Sequence, residues 1–132
     1  VWGDAVYEMM MEHDIHVRLP AWKPEGFELV DIQYTQPTEN MRLFTCVYQS
    51  SREIQLVLSV RSAKQTESLA FLESEFEADE DLQEEFLISG IRVFLMSNLQ
   101  TISFTWIYDS TCITISGAFD LTAAKGMLYS MK

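Results

Sequence analysis

Basic residues are scarce in this chain: nine Lys and Arg stand against twenty Asp and Glu, a formal charge of −11 over 132 residues. Nucleic acids and anionic membrane surfaces are bound by clustered Lys and Arg that neutralise phosphate, so the composition argues against both as direct partners. Histidines number two and cysteines two. His13 and His16 lie three apart, a spacing that can share a helix face, but no third or fourth zinc ligand stands near them. Cys46 and Cys112 read as free thiols acting as small hydrophobes. A disulfide between neighbouring strands stays open at this stage, since sequence cannot place two Cβ atoms within bonding reach. No apolar run approaches the roughly 20 residues that span a bilayer, and no signal-peptide pattern is present. The chain begins at Val1 rather than Met. It therefore reads as an excised part of a longer protein, and the missing export or membrane segment says nothing about the parent.

Catalytic signatures are missing as well. The chain holds no G-x-S-x-G, H-E-x-x-H, G-x-x-x-x-G-K-[ST] or G-x-G-x-x-G, so the hydrolase, zinc-protease, nucleotide and dinucleotide patterns fail together. Carboxylate pairs such as Glu73 with Glu77 are too abundant to single any one out. The expectation is a protein that is not an enzyme, with no catalytic residue, cofactor or metal.

What is present is β pattern. Thr101 to Gly117 alternates polar and apolar residues on both sides of a turn at Tyr108-Asp109-Ser110-Thr111. Ile102, Phe104, Trp106, Ile113 and Ile115 then fall on one face of a hairpin that needs a cover. Trp106 is expected in the core and the hairpin at the centre of a sheet. Further strands are predicted at 27–35, 41–49, 53–61 and 91–96, the first three forming an antiparallel meander. Asp120 is a good N-cap for a closing helix carrying Leu121, Ala124, Leu128 and Met131 at helical spacing, with Gly126 permitting close approach to a strand. Near the front, Asp4 is a candidate cap for a short helix in which Val6, Met9, Met10 and Met11 cluster.

The predicted fold is α+β: one domain over 1–132, with a single antiparallel sheet of about six strands and the C-terminal helix on one face. Its parts are a helical lead-in (1–18), a Pro-rich turn and three-strand meander (19–62), an acidic, partly helical insertion (63–85), strands and hairpin (86–117) and the closing helix (118–132). Eight of the thirteen residues from Glu73 to Glu85 are acidic. That run predicts a solvated, self-repelling excursion anchored by Leu69, Leu72 and Phe86. Calcium is the sharper alternative, but the loop spacing and interior glycine of a calcium loop are absent.

Leu19 to Phe27, LPAWKPEGF, is the most distinctive local stretch. Pro20 and Pro24 stiffen it and Gly26 offers a positive φ, while Trp22 between the prolines plugs the core edge or serves as an aromatic platform. Together with ISGIRVFL and TISFTWIYDSTCITISGAFDLTAAKGML, this stretch resembles domain-of-unknown-function family 4367. The matching residues are Pro20, Pro24, Gly26 and Phe27, then Ser89 and Gly90, Trp106, Ser116 and Gly117, and Asp120 to Leu128. None of these motifs is catalytic. The resemblance covers the chain from Leu19 onward apart from the acidic stretch. It implies an extracytoplasmic domain of a membrane-anchored Gram-positive protein, similar to anti-sigma factors or envelope lipoproteins, with the anchor upstream of Val1.

Two functions follow as expectations. One is a sensor, regulatory or interaction domain whose partner is an envelope protein or peptide. The other is a carrier-like domain with an apolar ligand in a pocket between sheet and helix. Candidate contacts are Trp22, Phe44, Tyr48, Phe104 and Trp106.

Overall fold

The structure, a computed structural model, describes residues 1–63, 72–108 and 110–131. Leu69 as an anchor, Asp109 in the hairpin turn and Lys132 at the end of the closing helix lie outside the described residues. The elements run α1 (Asp4–Glu12), β1 (Glu28–Thr38), β2 (Met41–Gln49), β3 (Gln55–Ala63), α2 (Leu72–Glu77), β4 (Leu82–Ile88), β5 (Ile91–Ser97), β6 (Ile102–Tyr108), β7 (Thr111–Gly117) and α3 (Leu121–Tyr129).

Seven strands form one antiparallel sheet in the order β1-β2-β3-β7-β6-β5-β4. The hairpin that dominates the sequence supplies the central strand, β7, which zips the β1–β3 meander to the β4–β6 meander. Phe104 pairs with Ile115 and Trp106 with Ile113. Because alternate residues point to opposite faces, the apolar half of the hairpin joins Leu56, Leu58 and Val60 of β3 and Val93 and Leu95 of β5 in one cluster.

The strand beyond the expected six is β4. Its first half is polar at Gln83, Glu84 and Glu85, and a bulge between Leu82 and Glu84 breaks the alternation. As an edge strand it needs few inward side chains, so its charges hide the pattern. Glu84 points toward α3, where it meets Lys125 at 4.0 Å, and Glu85 points to the opposite face. The acidic stretch is therefore not an excursion along its whole length: residues 72–77 are helical and residues 82–85 are paired in the sheet.

Among the described residues, two helices share the main core. Ala124, Met127, Leu128 and Met131 enter from α3 and its end, and Val6 and Met10 from α1, with Trp2 and Ile15 flanking α1. Asp120 caps α3 as expected, its Oδ1 accepting from the Ala123 amide at 2.8 Å. Leu121 is exposed instead of buried, and Met127 takes the inward place. The residue at the α1 N-cap is Gly3, at φ +102, which makes Asp4 the first helical residue; there its charge favours the helix N-terminus. Ser89 and Gly90, both at positive φ, form the two-residue β4–β5 turn.

Candidate functional site

Helix α1 ends at a left-handed residue, Asp14 at φ +54. The Ile15 amide donates back to the Met10 carbonyl at 2.8 Å and the Asp14 amide to the Met11 carbonyl at 3.2 Å, a Schellman closure that folds Ile15 onto Met10. Arg42 donates from its guanidinium to the His13 carbonyl and to Ser62 Oγ, placing a cation at the helix C-terminus. The segment after Asp14 then runs beside the β4–β5 turn and leaves a groove of about 610 Å³. Tyr7, Met10 and Met11 line it from α1, Ile15, His16, Val17 and Arg18 from the returning segment, and Ser89, Ile91 and Tyr108 from the sheet. Tyr7, Met11 and Tyr108 are exposed. Partial burial pushes the Tyr7 phenol up from its usual range.

The five candidate contacts from the sequence do not line this groove. Phe44, Tyr48, Phe104 and Trp106 are at most 1% exposed and sit within the main core; the Phe104 and Trp106 rings stack at 5.9 Å. Trp22 is 41% exposed. Its ring lies on α3 over Gly126, where an added Cβ would stand 3.0 Å from Cζ3, so the close approach that glycine permits is to this indole and not to a strand.

The two histidines have different partners. His13 stacks on Tyr34 with ring centres 3.8 Å apart, and His16 Nε2 pairs with Asp14 Oδ1 at 2.6 Å. Among the described residues, no three His, Cys, Asp or Glu side chains are disposed to hold a metal ion. The cysteines are both free: Cys46 faces the main core from β2, whereas Cys112 lies on the opposite face of β7, so a bond between them would have to pass through the sheet. Burial, with a smaller contribution from Asp31, pushes the Cys46 thiol up to about 12, and burial also raises Cys112.

On that second face one guanidinium organises three acidic side chains. Arg92 of β5 donates from Nε to Glu85 Oε1 at 2.6 Å, from Nη1 to Glu73 Oε2 at 2.8 Å and from Nη2 to Glu77. The hydrogen bond from Arg92 holds the Glu85 carboxyl below the usual carboxylate range. Glu73 and Glu77 are one turn apart on α2, the i, i+4 spacing that puts both on one face.

The sequence reading missed the groove because its lining comes from elements distant in the chain, and the signal that was available, three adjacent methionines at 9–11, also fits ordinary core packing. None of the curated proteins compared with this chain matches it. The model of the family described as domain of unknown function (DUF4367) matches residues 17–131, from the end of the groove-lining segment through α3, and the chain belongs to that family.

Proposed function

We propose that this is a non-catalytic sensor or interaction domain, held outside the cytoplasm by a membrane anchor elsewhere in its parent protein, and that an apolar peptide segment of an envelope protein docks in the α1 groove. The observation that carries the reading is the gathering of exposed Tyr7, Met11 and Tyr108 around one concave surface with Ile15, Val17 and Ile91 at its base. Contiguous exposed apolar surface is costly in an isolated domain and marks interaction sites. Methionine and tyrosine suit it, the first repacking around varied side chains and the second combining an apolar ring with a polar end. The carrier alternative has less support, since Phe44, Tyr48, Phe104 and Trp106 fill the space between sheet and helices with their own packing.

A photo-crosslinking residue at Met11 of the full-length protein in its native envelope tests this, with Gln33 on exposed β1 as control. The expected result is an envelope protein captured at 11 and not at 33, whose direct binding to the purified domain falls at least tenfold in a Met11→Glu, Tyr108→Glu variant. Equal capture at the two positions, or binding indifferent to the variant, overturns the proposal.

A further inference from the structure

Helix α2 is six residues long, too short to persist as a helix without tertiary support. Its support on the sheet is of two kinds. Leu72 and Phe76 belong to a small cluster with Ala63, Cys112, Met41 and Ile107, separate from the main core, and the Phe76 ring meets Phe94 at 5.3 Å. Glu73 and Glu77 meet Arg92, whose guanidinium also lies over the Phe94 ring at 5.1 Å. Glu85 on β4 occupies Nε of the same group and so leaves both Nη groups directed at α2.

We infer that α2 is a releasable cover on the second face of the sheet, latched by Arg92, and that its release uncovers Phe94 and Cys112 while the seven strands stay paired. Every strand completes its ladder without α2, and the main cluster contains no residue of it. Among the described residues, opening therefore forfeits the small cluster, the Phe76–Phe94 ring contact and the latch, and local opening of such a unit costs less than global unfolding. The latch is reachable by water: the Arg92 side chain is 40% exposed, and those of Glu73, Glu77 and Glu85 are 33%, 50% and 39% exposed. Ion pairs in that setting are weak individually. Three carboxylates around one cation also leave a net negative cluster, so loss of the guanidinium converts attraction into repulsion between α2 and β4. The latch thus sets whether the cover is open or closed. This inference is independent of the groove and of its partner.

Cys112, 8% exposed beneath the cover, and Cys46, 0% exposed in the main core, are built-in reporters. Alkylation of the native protein with iodoacetamide, resolved site by site by mass spectrometry, compares the two. In Arg92→Gln the expected result is at least a tenfold faster modification of Cys112 with Cys46 unchanged. A Glu73→Ala, Glu77→Ala variant breaks the latch from the α2 side, leaves the sheet untouched and is expected to give the same selective gain, which keeps the test available should Arg92→Gln fail to fold. Acceleration of both cysteines in parallel would show global opening and overturn the inference, as would Cys112 protection unchanged in the folded variants.

Discussion

The Tyr48 phenol, pointing inward from β2, donates a 2.6 Å hydrogen bond to the backbone carbonyl of Trp2, and the two rings meet edge to face at 5.4 Å. Trp2 in turn donates its indole N–H to the Pro20 carbonyl at 2.8 Å. The second residue of the sequence is thereby fixed between the sheet and the Pro-rich turn. Residues 1–16 precede the stretch matched by the family model, yet Trp2, Val6, Met10 and Ile15 are all part of the main core.

Tyr48→Phe removes the hydroxyl and leaves the buried Trp2 carbonyl without that donor, at a cost of about 1–2 kcal/mol. A chain beginning at Val17 loses four buried apolar side chains worth about 1.5–3 kcal/mol each, a sum comparable with the whole stability of a domain. Urea denaturation should show a shifted midpoint with an unchanged slope for Tyr48→Phe and no cooperative transition for the shortened chain. A shortened chain that unfolds cooperatively would remove α1 from the folding unit.

The two fully buried tryptophans differ in one respect. Trp2 Nε1 has the Pro20 carbonyl, whereas Trp106 Nε1 is, among the described residues, a buried side-chain polar atom without a hydrogen-bond partner. Replacing each by phenylalanine leaves a similar cavity, but Trp2→Phe also orphans a carbonyl while Trp106→Phe removes an orphan N–H. Unmade buried hydrogen bonds cost about 1–3 kcal/mol, so Trp2→Phe should be the more destabilising by about 1–2 kcal/mol. Equal losses in chemical denaturation would contradict the difference in pairing.

Most of the sheet was legible because its strands carry their own period. Met41 to Gln49 falls on β2 without a shift of either end, and the alternation of Ile102, Phe104 and Trp106 identified the inward face. Where the pattern was silent, the structure is decided by partners distant in sequence. Glu85 reads as one more acid in an acidic run; its pairing with Phe94 across the β4–β5 turn makes it a strand residue, and Arg92 fixes the direction of its side chain. Trp2 has no periodic neighbours, and its burial depends on Pro20 and Tyr48. The groove depends on the left-handed turn at Asp14, a residue type that adopts positive φ more readily than most but does not announce it.

Gly126 offers a test of one such distant contact. In an exposed helix interior, Gly→Ala stabilises by about 1 kcal/mol. Here the new Cβ would meet Trp22 Cζ3 at 3.0 Å and Cε3 at 3.4 Å, so the indole must shift, and its seat on α3 includes the Trp22 amide bond to Ser130 Oγ at 3.2 Å. Gly126→Ala should therefore give little or no gain in the wild type and the usual gain of about 1 kcal/mol in a Trp22→Ala background. A double-mutant cycle measures the coupling, and additive effects would mean that the ring does not rest on the helix in solution.

Alkaline pH should destabilise the domain through Cys46. Its thiol is pushed up to about 12 from a reference of 9.0, chiefly by burial, so between those values the unfolded thiol has lost its proton while the folded one keeps it. Stability falls with rising pH wherever the unfolded state binds fewer protons than the native state. The contribution of this group is therefore fully present below about pH 9 and declines up to about 12. The Tyr48 phenol, raised by burial in the same way, adds to the decline from about pH 10 upward. Urea midpoints at pH 7.5, 9 and 10.5 should drop in the wild type more steeply than in Cys46→Ala, which lacks the thiol but keeps Tyr48. Because Cys46→Ala also opens a small cavity, its stability at pH 7.5 serves as its own reference and only the slope with pH is compared. Parallel slopes for the two proteins would show that the Cys46 thiol ionises as readily in the fold as in the unfolded chain.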